Sequence, residues 1–224
     1  MTSAQQKAWL WFGASLALMA LVLLLAAGTV RYWHAWACLG VTAAANLPLT
    51  RYIAGNPRLL ESRMRAGPSA ERRPIQKLIV LCVMLPALAV LIVPGLDRRF
   101  GWSHVPAWLA VVGDALILLG MALAYRVFRE NAFGSATIEI GEGQRVVSTG
   151  PYAIVRHPMY ASAALYFIGM ALGLGSWWGL VPALLAVLGL VWRLFDEETF
   201  LAENLPGYPD YCARVRRHLI PGIF

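Results

Sequence analysis

The chain has 224 residues, 59% of them hydrophobic and only 14% charged, with a mean hydropathy of +0.60 and a formal net charge of +7. Such a composition excludes an ordinary soluble domain, so the positive charge argues for orientation in a membrane and not for nucleic acid as a partner. Cys38, Cys82 and Cys212 form no CxxC pair and no Cys/His cluster, which argues against a disulfide framework and against a metal site.

Six apolar stretches follow in order: Trp9 to Ala27, Trp33 to Ala54, Leu78 to Leu96, Pro106 to Tyr125, Met159 to Leu174 and Trp178 to Phe195. They predict an all-α integral membrane protein of about six transmembrane helices. The first four are about 19 to 22 residues long, enough at about 1.5 Å per residue for a hydrocarbon core of roughly 30 Å. Lys7 and the small residues that end the first stretch resemble a signal peptide, but the apolar run is longer than a signal core, so a retained helix is expected. Asn46 and Pro48 in the second predict an interhelical hydrogen bond and a local kink. Between the second and third stretches, Asn56 to Lys77 carries six basic and two acidic residues and reads as an inner-surface loop against anionic lipid headgroups. Asp114 in the fourth stretch needs a partner or a cavity, because an ionised carboxylate is costly at that depth.

Beyond Arg126, "SATIEI", "GEGQ" and "RVVSTG" place β-branched residues on either side of a glycine turn, predicting a short cytoplasmic β-hairpin. Gly141-x-Gly143 lacks a third glycine and a following long helix, so it reads as that turn and not as a dinucleotide fingerprint. The last two apolar stretches are shorter and form a helical hairpin turning at "GSWWG", with Gly169-x-x-x-Gly173 allowing close helix packing. The tail from Asp196 to Phe224 has too many aromatic and aliphatic residues for a flexible terminus and is expected to pack back on the protein. With the N-terminus inside, Arg31, Arg98 and Arg99 lie outside, leaving 16 of the 19 Lys and Arg on the inner side.

The chemistry concentrates in "GPYAIVRHPMYAS", Gly150 to Ser162. Pro158 suits the first turn of a helix, which sets Arg156 and His157 at the lip of the bilayer beside the positive end of that helix, with Tyr160 one turn in. A hairpin over residues 159 to 195 returns to the same face and brings Arg193, Asp196, Glu197 and Glu198 near them. Interfacial anchoring by Arg and Tyr and an Arg193 to Glu197 helical pair are the plainer readings. Convergence of the two clusters favours a site.

These residues, with "TGPYAIVRHPMY", the hairpin, "EETFL", "GYPDYCARVRRHLIPGIF" and, upstream, "ENAFGSATIEI", resemble the membrane methyltransferases typified by isoprenylcysteine carboxyl methyltransferase and, more distantly, the phospholipid N-methyltransferases. The resemblance covers roughly the last hundred residues. It implies N-terminal transmembrane helices over 1–125 and a methyltransferase core over 126–224. It also implies an S-adenosylmethionine pocket on the cytosolic side of a membrane, here a bacterial inner membrane, and a lipophilic acceptor entering from the bilayer. Carried over by position, His157, Tyr160, Glu198, Tyr211 and the stretch near Pro221 contact the cofactor. Ser162 departs from the glycine common there in the family.

The cofactor's sulfonium, amino-acid group, ribose diol and adenine call for a cation, carboxylates and aromatic surface, which Arg156, Glu197, Glu198 and the tyrosines supply. Arg156 and Glu197 are expected to position the reactants, and in-line methyl transfer gains from positioning and desolvation without a nucleophilic residue. A carboxylate acceptor is already ionised and needs an arginine, Arg156 or Arg193, whereas a thiol or amine needs His157 or a glutamate as base. Sterol reductases share an RHPxY-like stretch and a similar tail, leaving an NADPH-dependent reductase as the near alternative; the short chain, "ENAF" and "EETFL" favour the methyltransferase. A noncatalytic lipid-binding or transport protein is the more distant one, and the absence of a repeat between the first and last three helices weighs against it.

Overall fold

The computed structural model describes every residue except 1–2, 57–58, 61–66, 72, 132–136, 139 and 141–142, and only the backbone of 3–4. Among the described residues there are seven α-helices: α1 Ser3–Ala27, α2 Trp33–Ala54, α3 Pro74–Phe100, α4 Ala107–Glu130, α5 Pro158–Gly173, α6 Leu180–Asn204 and α7 Tyr208–Arg214, with a 3-10 turn at Gly150–Ala153. Prolines open α3 and α5, where the missing N–H costs nothing. Gly101 closes α3 in the left-handed conformation at φ 66°, its N–H returning to Asp97 O.

Among the described residues three helices are long and apolar enough to cross a membrane: Gln5–Ala27, Pro74–Phe100 and Ala107–Glu130. Six spans were expected. The 22 residues of α2 are diluted by polar and small side chains, the 16 residues of α5 reach only about 24 Å, and α6 becomes charged from Arg193 onward. The helices nonetheless share one core, to which α1 to α6 contribute Leu23, Cys38, Val90, Ile117, Met170 and Ala183 in turn. Asn46 stays within its own helix, donating to Thr42 O at 2.9 Å, where an interhelical bond was expected.

The tightest crossing joins α4 to α5. A Cβ on Gly113 would lie 2.3 Å from Gly173 N, one on Gly169 2.7 Å from Gly113 O, and one on Gly120 2.7 Å from Ser162 O. The glycine pair read in α5 does permit close packing. At Ser162 the approach is kept by Gly120 on the opposite helix, while the serine hydroxyl turns back to Met159 O at 2.7 Å. Asp114 sits against Gly173, and its buried Oδ1 takes no hydrogen bond among the described residues.

Polar contacts fix both ends of the bundle. At one, Asp97 accepts from Ser103 N at 2.7 Å, Ser103 Oγ at 2.5 Å and Ser176 Oγ at 2.5 Å, tying α3 to the α5–α6 turn. Trp33, Trp36, Trp102, Trp108 and Trp178 are exposed around this end, as at a membrane interface. The other end gathers the termini of α3, α5 and α6 with α7 and the residues around 71, 131, 137–138 and 143–149. No strand occurs among the described residues there, and Ser135, Ala136, Glu139, Gly141 and Glu142 of the expected β-hairpin lie outside the description. Gly143 does turn, at φ 69°.

Candidate active site

Helix α5 begins where the chain meets its own tail. Arg156 N donates to Arg217 O at 2.8 Å and His157 N to His218 O at 2.9 Å. The tail therefore packs back as expected, with Leu205, Tyr208 and Tyr211 buried against Ile140 and Val146. Tyr211 also donates its hydroxyl to Tyr152 O at 2.8 Å, anchoring α7 to the 3-10 turn.

The Arg156 guanidinium is 8% exposed and engaged at all three nitrogens: Nε with Glu198 Oε1 at 2.6 Å, Nη2 with Glu198 Oε2 at 3.2 Å and His218 Nδ1 at 2.8 Å, Nη1 with Val215 O at 2.9 Å. Glu198 Oε1 also meets His157 Nε2 at 2.9 Å and His218 Nδ1 at 3.1 Å. Burial by itself raises the Glu198 carboxyl, but the hydrogen bonds from His157 and Arg156 outweigh it and hold the group at about 2. For Arg156, burial lowers the value and Glu198 more than restores it, for a net rise.

Glu197 is turned by one helical step from Glu198 and faces a different neighbourhood. It accepts the Tyr160 hydroxyl at 2.5 Å, and the Tyr160 ring lies parallel to His157 with centroids 5.5 Å apart. Arg193 donates to Glu71 at 2.7 Å, and Asp196 receives both Nη1 and Nη2 of Arg73, at 2.6 and 3.0 Å, and the amide of Gln76. The loop read as a headgroup surface thus sends Glu71 and Arg73 into ion pairs with α6.

A cavity of about 150 Å³ opens among the end of α4, the 3-10 turn, the start of α5, the end of α6 and α7. Phe128, Tyr152 and Tyr208 give it aromatic walls, Asn131 and Gln144 polar ones, and Glu197 a carboxylate. Of the residues expected from sequence, Arg156, His157, Tyr160, Glu197 and Tyr211 line it. Glu198 is not among the lining residues; it holds Arg156 and His157. Arg193 is also absent from the lining, and Pro221 lies exposed in the terminal turn, likewise apart from it. Burial raises the Tyr208 and Tyr211 hydroxyls well above their ordinary value, keeping both neutral donors at physiological pH.

Sequence reasoning did not select Asn131, Tyr152 or Tyr208, although the first two stand inside the quoted "ENAF" and "TGPY" and the third in "GYPDY". Gln144 and Glu71 carried no signal of their own. The described lining combines aromatic rings, amides, the Glu197 carboxylate and the guanidinium groups of Arg145 and Arg156. Rings offer stacking surface, amides reach hydroxyls, and a carboxylate meets positive charge.

Comparison with known sequences adds one independent observation: residues 108–206 match the sequence model of the phospholipid methyltransferases. The matched segment runs through α4, α5 and most of the remaining cavity wall, and it contains both Arg156 and Glu197. No curated protein matches the chain.

Proposed function

We propose, from the match of residues 108–206 to the phospholipid methyltransferase family, that the chain is a membrane methyltransferase that uses S-adenosylmethionine to methylate a lipophilic carboxylate. The observation that carries this reading is the cavity, where Glu197, steadied by Tyr160, stands among aromatic walls inside the matched segment. When bound, S-adenosylmethionine supplies a methyl group already activated on sulfonium sulfur. Glu197 would face its positive charge, Tyr152, Tyr208 and Phe128 its adenine, and Asn131 and Gln144 its hydroxyls.

The protein's own contribution is then positioning and dryness. Arg156 lends positive charge to one wall, while its bonds to Glu198, Val215 and His218 hold it in place. A carboxylate acceptor fits because it needs no base: the His157 imidazole is 7% exposed and hydrogen-bonded to Glu198. The acceptor, as for an isoprenylcysteine, would approach from the bilayer along the apolar surface near Met159, with the cavity on the cytoplasmic side.

The test is titration calorimetry of the detergent-purified protein with S-adenosylhomocysteine, and in parallel with NADPH. Saturable binding of the first, weakened in Glu197→Gln, is expected. Binding of NADPH alone would replace the methyltransferase reading with the reductase one. Methyl transfer to a prenylcysteine carboxylate, compared with vesicles containing phosphatidylethanolamine, then decides the acceptor class.

A further inference from the structure

On α6, Arg193 and Glu197 stand at the four-residue spacing where opposite charges ordinarily pair along a helix. They do interact electrostatically, but each hydrogen-bonds to a further partner. Arg193 Nη2 gives its hydrogen to Glu71 at 2.7 Å, with the two side chains 12% and 2% exposed, and Glu197 receives the hydroxyl of Tyr160 at 2.5 Å. Arg193 hydrogen-bonds the Tyr160 side chain as well. The other oxygen of Glu71 accepts Ile138 N at 3.4 Å, joining α6 to a wall of the cavity. Two residues along, Arg73 fastens the same segment to Asp196.

We propose that Glu71 is a positioning residue: it occupies Arg193 and so leaves the Glu197 carboxylate in the cavity, paired with Tyr160, for a cationic ligand group. This deepens the cofactor-pocket reading and rests on it for the ligand, though not for the switch between partners. Glu71 lies outside the matched residues 108–206. The physical case is that a buried guanidinium deprived of its carboxylate is costly to leave uncompensated. Glu197, one turn along the same helix, is the carboxylate placed to replace Glu71. Glu197 is the one acidic residue among the described cavity lining, so its capture would remove the cavity's negative charge.

The experiment uses the full chain in detergent, S-adenosylhomocysteine as ligand, and the variants E71Q, R193M and E71Q/R193M. E71Q is expected to weaken binding about tenfold, equivalent to about 1.4 kcal/mol, and E71Q/R193M to return it to within about threefold of wild type, because no cation remains to take Glu197. A double variant as weak as E71Q, or weaker, would overturn the proposal, since a merely structural Glu71 gains nothing from losing its partner. Where E71Q does not accumulate, the double variant answers alone: retained binding supports the proposal and lost binding overturns it. A ligand-free measurement separates the two readings. Tyr160→Phe should lower the melting temperature of the wild type more than that of E71Q, where Arg193 has already drawn Glu197 away from the tyrosine hydroxyl; equal losses in both backgrounds sink the proposal. Failure of the wild type to bind S-adenosylhomocysteine would sink the cofactor reading and leave this second arm to decide the role of Glu71.

Discussion

Glu198 accepts from Arg156 and contacts the rings of His157 and His218, and it is one residue from Glu197, which faces the cavity. Its depressed pKa has a definite consequence for stability. A carboxyl held at about 2 when folded and near 4.5 otherwise stabilises the fold fully above about pH 4.5, and that contribution drains away as pH falls toward 2. The wild-type melting temperature should therefore drop across that window, while Glu198→Gln starts lower and varies less; parallel curves would refute the assignment. Breaking this buried network should cost about 3 kcal/mol. Glu197→Gln should do the reverse, weakening S-adenosylhomocysteine binding with little change in melting temperature. The sequence shows only "EE" at this point. Which glutamate faces the cavity and which faces Arg156 depends on the rotation of α6 once it is packed, and spacing alone does not reveal that.

Among the elements, the α4–α5 crossing is the contact least able to give way, because backbone meets backbone at Gly113 and Gly173. Gly113→Ala should destabilise the protein by about 1–3 kcal/mol through forced separation of the helices, read as a lower denaturation midpoint in detergent. An unchanged midpoint would mean that the crossing is looser than the structure has it. The α5 half of this contact was legible as Gly169-x-x-x-Gly173, whereas Gly113 and Gly120 sit seven apart and form no such motif. The loop before α3 was legible only in part for a related reason. Its charges suit a headgroup surface, and nothing in a sequence announces that Arg73 will meet Asp196, 123 positions later. At residues 140–146 the β-branched pattern suggested strands, but Ile140 and Val146 serve to cover Tyr208 and Tyr211. Apolar alternation signals burial of one side; what covers that side is set by the tail.

Across the whole molecule, the apolar bundle separates two polar ends of unlike character. The Asp97 end carries few cations, and the cavity end most of the 16 Lys and Arg predicted to face inward. In a background lacking Cys38, Cys82 and Cys212, Ser103→Cys should react with an impermeant thiol reagent from outside the cell and Arg214→Cys only after the membrane is opened. The opposite pattern would invert the topology and move the cavity to the other face. Helix number was legible in outline from hydropathy. Spanning was not, because α2, α5 and α6 owe their place to the neighbours they pack against as much as to their own apolarity.

The main-chain bonds from residues 156 and 157 to 217 and 218 also give the chain a mechanical property. They close a hoop that runs through α5, the turn at Gly175, α6 and α7, with Arg156 and Val215, 59 positions apart, clasped side by side. Because the entropy of closing a loop grows only slowly with its length, the clasp is inexpensive for what it encloses. Once it is undone, the short helices inside the hoop lose their common fastening together. The amide hydrogens of Arg156 and His157 should accordingly exchange with solvent only in events that open the whole cavity, so their exchange rates would clock its integrity.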